Sequence, residues 1–130
     1  MLAAALAAIV QCGSPSAPVN PQAVFRVRAC VGSIGTPEGQ VFRVLLRDSR
    51  LIAQARALTG MHKIVAGTVV SGDGGFNAPW SWHLDPGTVQ IVDAAIELCD
   101  ACPSYVETHL ASWVGATFCP WSAEILGEQK

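Results

Sequence analysis

Charge is scarce in this 130-residue chain and favours neither sign. Eight Lys and Arg stand against ten Asp and Glu, a net charge of −2 and a charged fraction of 14%. No field of one sign is available to collect nucleic acid or coat a membrane surface, so neither partner is expected. Long apolar runs are missing too. The longest, Met1 to Val10, stops short of the membrane-spanning length of about 18 residues. No internal repeat is visible. No Gly-x-Ser-x-Gly elbow surrounds Ser71, Ser81, Ser104, Ser112 or Ser122, and no phosphate-cradling glycine motif precedes a helix. A second Cys-x-x-Cys, needed for a four-cysteine zinc site, is absent. No cofactor or metal is implied, and the expectation is a binding protein rather than an enzyme.

Hydrophobic residues make up 51% of the chain, enough for a core and against disorder. The first 22 residues are unlike the rest. An Ala-rich apolar run leads into Cys12-Gly13-Ser14-Pro15-Ser16-Ala17-Pro18, which suits neither helix nor strand. Residues 1–22 therefore read as an export leader and tether, and 23–130 as one domain. Ile9-Val10-Gln11-Cys12 approaches the lipoprotein cleavage pattern, with Cys12 as the residue a lipid anchor would use. Gln11 is large for the position before it, and no Lys or Arg precedes the run. The expected location is secreted, periplasmic or surface-anchored; the competing reading is an Ala-rich extension on a cytoplasmic protein.

Setting Cys12 aside, Cys30, Cys99, Cys102 and Cys119 remain. An even count in a small exported domain implies two disulfides, with three connectivities open. Strain in short adjacent loops favours long-range bridges. Cys99 with Cys119 and Cys30 with Cys102 are the expected pairs, each loop contributing about 3 to 4 kcal/mol in the chain-entropy model.

Alternation of Phe25, Val27, Ala29 and Val31 with Arg26, Arg28 and Cys30 predicts a half-buried strand, and Phe42, Val44 and Leu46 predict its hairpin partner. Asp48 or Ser49 offers an N-cap for a helix carrying Leu51, Ile52, Ala55 and Leu58, which Gly60 stops. Residues 64–70 are apolar on both faces and so predict a central strand. A short strand at Trp80 to Asp85 and another at Val89 and Ile91, continuing through Ala94 to Leu98, come next. Pro103 opens a second helix with Val106, Leu110 and Trp113 as its buried stripe, and a final strand runs from Thr117 to Ile125. The sum is an α+β fold: an antiparallel sheet of about six strands with two helices packed on one side.

Three segments look familiar in combination. They are Leu51-Ile52-Ala53-Gln54-Ala55-Arg56, the run Phe76-Asn77-Ala78-Pro79-Trp80-Ser81-Trp82-His83-Leu84-Asp85-Pro86, and Glu97-Leu98-Cys99-Asp100-Ala101 with Tyr105-Val106-Glu107-Thr108-His109-Leu110. Together with Cys119-Pro120-Trp121-Ser122 they resemble a family of small bacterial proteins related to the N-terminal domain of a slime-mould calmodulin-binding protein. The resemblance spans residues 24–126 and implies an interaction module. Cys99 and Cys119 fall inside its motifs whereas Cys30 and Cys102 lie outside them, which supports the same pairing.

Residues 72–86 hold three glycines, two prolines and Asn77 ahead of a Trp-rich strand, the composition of a projecting loop on a rigid base. Gly75, Phe76, Asn77, Ala78, Pro79 and Trp80 are the candidate partner-binding residues, with Asn77 as the specificity residue. The order of helix, apolar strand, loop and strand is similar to that of potato inhibitor I type proteinase inhibitors, which implies a protease as the partner protein. Against this, Asn77 and Pro79 serve equally to shape a turn, with Trp80 and Trp82 in the core. An alternative partner face is Arg43, Arg47, Arg50 and Arg56, a basic stretch with apolar anchors such as calmodulin-like partners engage. Half of it reads as strand, which favours a solvated face. His62, His83 and His109 with Asp85 or Asp93 could form an acid-base or metal site, and Cys99-Asp100-Ala101-Cys102 a redox pair. Packed histidines and structural disulfides account for the same residues, and a small hydrolytic or thiol-redox enzyme is the last alternative.

Overall fold

A computed structural model of the chain describes residues 21–95 and 98–130. Residues 1–20 of the predicted leader and tether, with Cys12, lie outside the described residues. So do Ile96 and Glu97, on which the predicted continuation of a strand to Leu98 depends.

The chain enters at β1 (Ala23–Ala29), whose residues alternate strictly between buried and half-buried. It turns back through β2 (Gln40–Leu46) in an unbroken antiparallel register from Ala23 opposite Leu46 to Ala29 opposite Gln40. β1 ends at Ala29 rather than Val31 because Cys30 adopts a φ of 61°, which no strand accommodates. Asp48 caps α1 (Ser49–Ala57), its carboxylate accepting the Arg50 and Leu51 N–H groups at 2.8 and 3.3 Å. β3 (Ile64–Ser71) follows, then β4 (Trp82–Leu84), a 3-10 turn at Pro86–Thr88 capped by Asp85, and β5 (Gln90–Val92). Two short helices, α2 (Pro103–Thr108) and α3 (Leu110–Trp113), precede β6 (Thr117–Phe118) and β7 (Glu124–Glu128).

The α+β class and antiparallel pairing stand, but the strands divide into two sheets. One has the order β2-β1-β7; in the other β3 pairs with β4, β5 and β6. β3 is central, as its apolar faces require. The predicted last strand splits because Thr117 and Phe118 pair with Thr68 and Gly67 of β3, while Ile125 crosses to Val27 of β1. The predicted second helix splits at His109, whose φ of −126° and ψ of 37° leave the helical region.

Both sheets bury one face in a common core with Ile52 and Ala55 of α1 and Val106 of α2. Phe42, Trp82 and Phe118 form its aromatic centre at centroid separations of 5.4 to 5.8 Å, and each is fully buried. Burial of a ring of this kind contributes up to about 3 kcal/mol. Two disulfides, Cys30–Cys102 and Cys99–Cys119, tie the helical segment to the ends of both sheets, with the pairing expected from the sequence.

Candidate functional site

The loop between β3 and β4 does not present Asn77. This side chain is 0% exposed. Its Oδ1 accepts the Arg43 backbone N–H and its Nδ2 donates to the Trp82 carbonyl, both at 2.7 Å. Its own N–H donates to the Asp73 carbonyl at 3.0 Å, and its carbonyl accepts the Trp80 N–H at the same distance. The side-chain amide thus satisfies two backbone groups, one with its acceptor and one with its donor, and the Asn77 backbone pairs with two more. Asn77 is thus a pin inside the loop and not a specificity residue on it. Trp80 is half-buried, donating Nε1–H to the Val41 carbonyl at 2.8 Å, and the Phe76 ring meets His83 edge-on at 5.4 Å. Gly75, Ala78 and Pro79 are the members that remain exposed.

The four arginines of the alternative face are not one face. Arg43, on β2, donates to the Ala78 carbonyl at 3.2 Å and to Gln129 Oε1. Arg56, on α1, makes a two-pronged ion pair with Glu128 at 2.8 and 3.1 Å. That bond raises the Arg56 pKa and lowers that of the Glu128 carboxyl, hydrogen bonding being the leading cause for both. Of the four, Arg47 and Arg50 alone have guanidinium groups without a partner among the described residues.

Those two arginines line a groove of about 620 Å³, within the volume range of ligand sites. One wall is the start of α1, with Arg50, Leu51 and Gln54. The other is the continuous stretch from Pro86 through Val89, Gln90, Ile91 and Val92. Gln54 Nε2 spans between them, donating to the Ile91 carbonyl at 3.4 Å. Asp48 also lines the groove, but its carboxylate is engaged in capping α1. Since that cap takes the first helix N–H groups, the anion-seeking groups are the guanidiniums. The groove can therefore hold a carboxylate-bearing, partly apolar chain.

A second surface groups exposed Tyr105 with His109, stacked at 4.0 Å and 19°, beside Trp113. A groove of about 450 Å³ there is lined by Leu98, Tyr105, Ser112, Trp113 and Thr117 without a charged group.

The histidines are not assembled. His83 Nδ1 bonds the Gly72 carbonyl at 2.6 Å, His109 Nδ1 lies 3.0 Å from the Tyr105 carbonyl, and His62 forms a backbone bridge with Glu124. Asp85 caps the 3-10 turn and Asp93 pairs with Lys63. Among the described residues no group of three His, Cys, Asp or Glu is placed to hold a metal ion. Cys99 and Cys102 belong to different disulfides, so they do not form the redox pair considered for them.

Sequence reasoning found Arg47 and Arg50 within the basic stretch 43–56, which also holds Leu51 and Gln54, but missed Ile91 as their companion. Arg50 and Gln54 are four apart on one helix face, a readable signal; the approach of β5 to that face had none.

The family model of the N-terminal domain of calmodulin-binding protein 74 matches residues 22–130. The chain belongs to that family. The match takes in both disulfides, the pinned loop and the arginine groove, so all the candidate surfaces lie inside this calmodulin-binding protein 74 N-terminal domain. No curated protein and no solved structure matches the chain. No described helix is long and apolar enough to cross a membrane.

Proposed function

We propose that this domain is an exported protein-interaction module that takes an acidic segment of its partner in the groove between α1 and β5, acting by binding rather than catalysis. One observation carries the reading: among the described residues, the guanidinium groups of Arg47 and Arg50 have no partner, and they stand beside the apolar Leu51, Val89, Ile91 and Val92. Positive charge next to apolar surface is complementary to a protein segment mixing acidic and aliphatic residues. The disulfides suit an oxidising compartment, in keeping with export.

The test is affinity capture from extracellular material with the full chain and with an Arg47→Glu, Arg50→Glu variant. The expected result is a partner retained by the native chain and by Arg26→Ala, released by raised salt and lost in the charge-reversed protein. Retention by the charge-reversed protein would remove the groove as the site.

A second reading, proteinase inhibition through the β3–β4 loop, is supported by its rigid anchoring on Asn77 and the exposure of Ala78 and Pro79. Inhibition of a purified protease by the native chain, lost on Ala78→Asp, would favour it. Asn77→Ala cannot serve as the control, because it removes the anchor itself.

A further inference from the structure

The groove has an unusual wall. β5 is hydrogen-bonded to β3 along one edge, Val65 opposite Ile91, and to no other strand among the described residues. Its opposite edge faces α1, as the Ile91 carbonyl shows by accepting from Gln54. In an extended residue the N–H and C=O point to the same side, so the Ile91 amide faces the groove as well. Natural sheet edges are guarded by prolines, charges or covering elements. Here the cover is α1, which contacts β5, and among the described residues its one side-chain bond to that edge comes from exposed Gln54 at 3.4 Å, near the outer limit for a hydrogen bond. A main-chain group at about 2.9 Å would replace it to advantage.

From this we infer that the partner segment is extended and adds to the free edge of β5 as a further strand, its main chain bonded to Ile91 and its acidic side chains directed to Arg47 and Arg50. The inference rests on the groove being the partner site. With β5 three residues long, the paired stretch is about 10 Å. Alternate side chains of an extended segment share a face, so acidic residues two positions apart approach the arginines together while the residue between packs away from them. A helical segment presents neither feature, since it has no main-chain group free to bond Ile91. A second copy of the chain is excluded as the occupant if the probe below binds a monomer.

The experiment selects binders to the full chain from a displayed random heptapeptide library, then resynthesises the best peptide with each backbone nitrogen methylated in turn. Acidic residues at alternate positions, affinity loss of about tenfold or more from methylation at one register, and slowed hydrogen exchange at the Ile91 amide are expected. Acidic peptides that are lost on Arg47→Glu, Arg50→Glu but ignore methylation and leave Ile91 exchange unchanged would overturn strand addition while keeping the groove as the site. Binding indifferent to the arginines, or selection of peptides without acidic residues, would overturn both.

Discussion

The Asn77 side-chain oxygen accepts the backbone N–H of Arg43 at 2.7 Å, joining the β3–β4 loop to a strand 34 residues earlier in the chain. The same amide holds the Trp82 carbonyl five residues later, so one buried side chain fixes the loop to both sheets. A residue that shapes the loop from inside is conformationally decisive without being available to a partner.

Replacing Asn77 with Ala should destabilise the fold by about 3 kcal/mol, because the Arg43 N–H and the Trp82 carbonyl would each be buried without a partner. Asn77→Asp should be at least as damaging. It keeps the acceptor but turns a second oxygen toward the Trp82 carbonyl and buries a charge. Urea denaturation of both variants checks this; a loss under about 0.5 kcal/mol, typical of a surface site, would mean that the amide is not the anchor.

The disulfides should contribute unequally. Cys30–Cys102 spans 72 residues and Cys99–Cys119 spans 20, and in the chain-entropy model these separations correspond to about 4.4 and 3.3 kcal/mol. Paired Cys→Ala variants measured under oxidising conditions should show the larger drop in denaturation midpoint for the Cys30–Cys102 deletion. The reverse order would show that native-state packing around Cys99 and Cys119, which share a buried cluster with Ile64, outweighs loop closure.

What the sequence made legible was local. Strict alternation gave the β1–β2 hairpin, Asp48 and Gly60 bracketed α1, and two apolar faces placed β3 at the centre of its sheet. The cysteine spacing and the family motifs together yielded the observed bridges. The division into two sheets was not legible, because β4, β5 and β6 are two or three residues long and owe their existence to pairing with β3. Val106, Leu110 and Trp113 keep helical spacing across His109, so the break there leaves no trace in the apolar pattern. Asn77 sits among glycines and prolines, where Asn ordinarily marks an exposed turn; its burial depends on Arg43 and Trp82, neither of which local composition connects to it. The groove failed for the same reason, since Gln54 and Ile91 meet only in three dimensions.

Acid should weaken the fold partly through Glu128. Its carboxyl is held below the usual value by the Arg56 hydrogen bond, so the ionised form is favoured in the folded state. That contribution is complete above the unfolded carboxyl range, about 4.3, and disappears as pH falls through the lowered folded value. Arg56, raised from its ordinary value by the same partner, stays charged throughout this window. Stability curves of native chain and Glu128→Gln should therefore differ at pH 6 to 7, roughly where the carboxyl is ionised, and converge in acid. Both groups are solvent-accessible, so the difference should shrink with added salt. Parallel curves from neutral pH into acid would show the pair to be inert.

The loop's glycines separate a backbone requirement from a packing requirement. Gly72, Gly74 and Gly75 all have positive φ, at 90°, 67° and 88°, so any Cβ-bearing residue pays a conformational cost of about 1 kcal/mol at each. A Cβ on Gly72 or Gly75 would meet nothing within 4 Å, whereas on Gly74 it would lie 2.7 Å from the Phe76 ring and 2.9 Å from the His83 ring. Gly74→Ala must therefore also part the Phe76–His83 contact, for a total of about 3 kcal/mol. Thermal unfolding of the three alanine variants should place Gly74→Ala well below the other two. Gly74→Ala combined with Phe76→Ala should recover part of that gap, since one of the two colliding rings is then gone. If Gly74→Ala instead falls level with Gly72→Ala and Gly75→Ala, the rings yield freely and their contact does not anchor the loop.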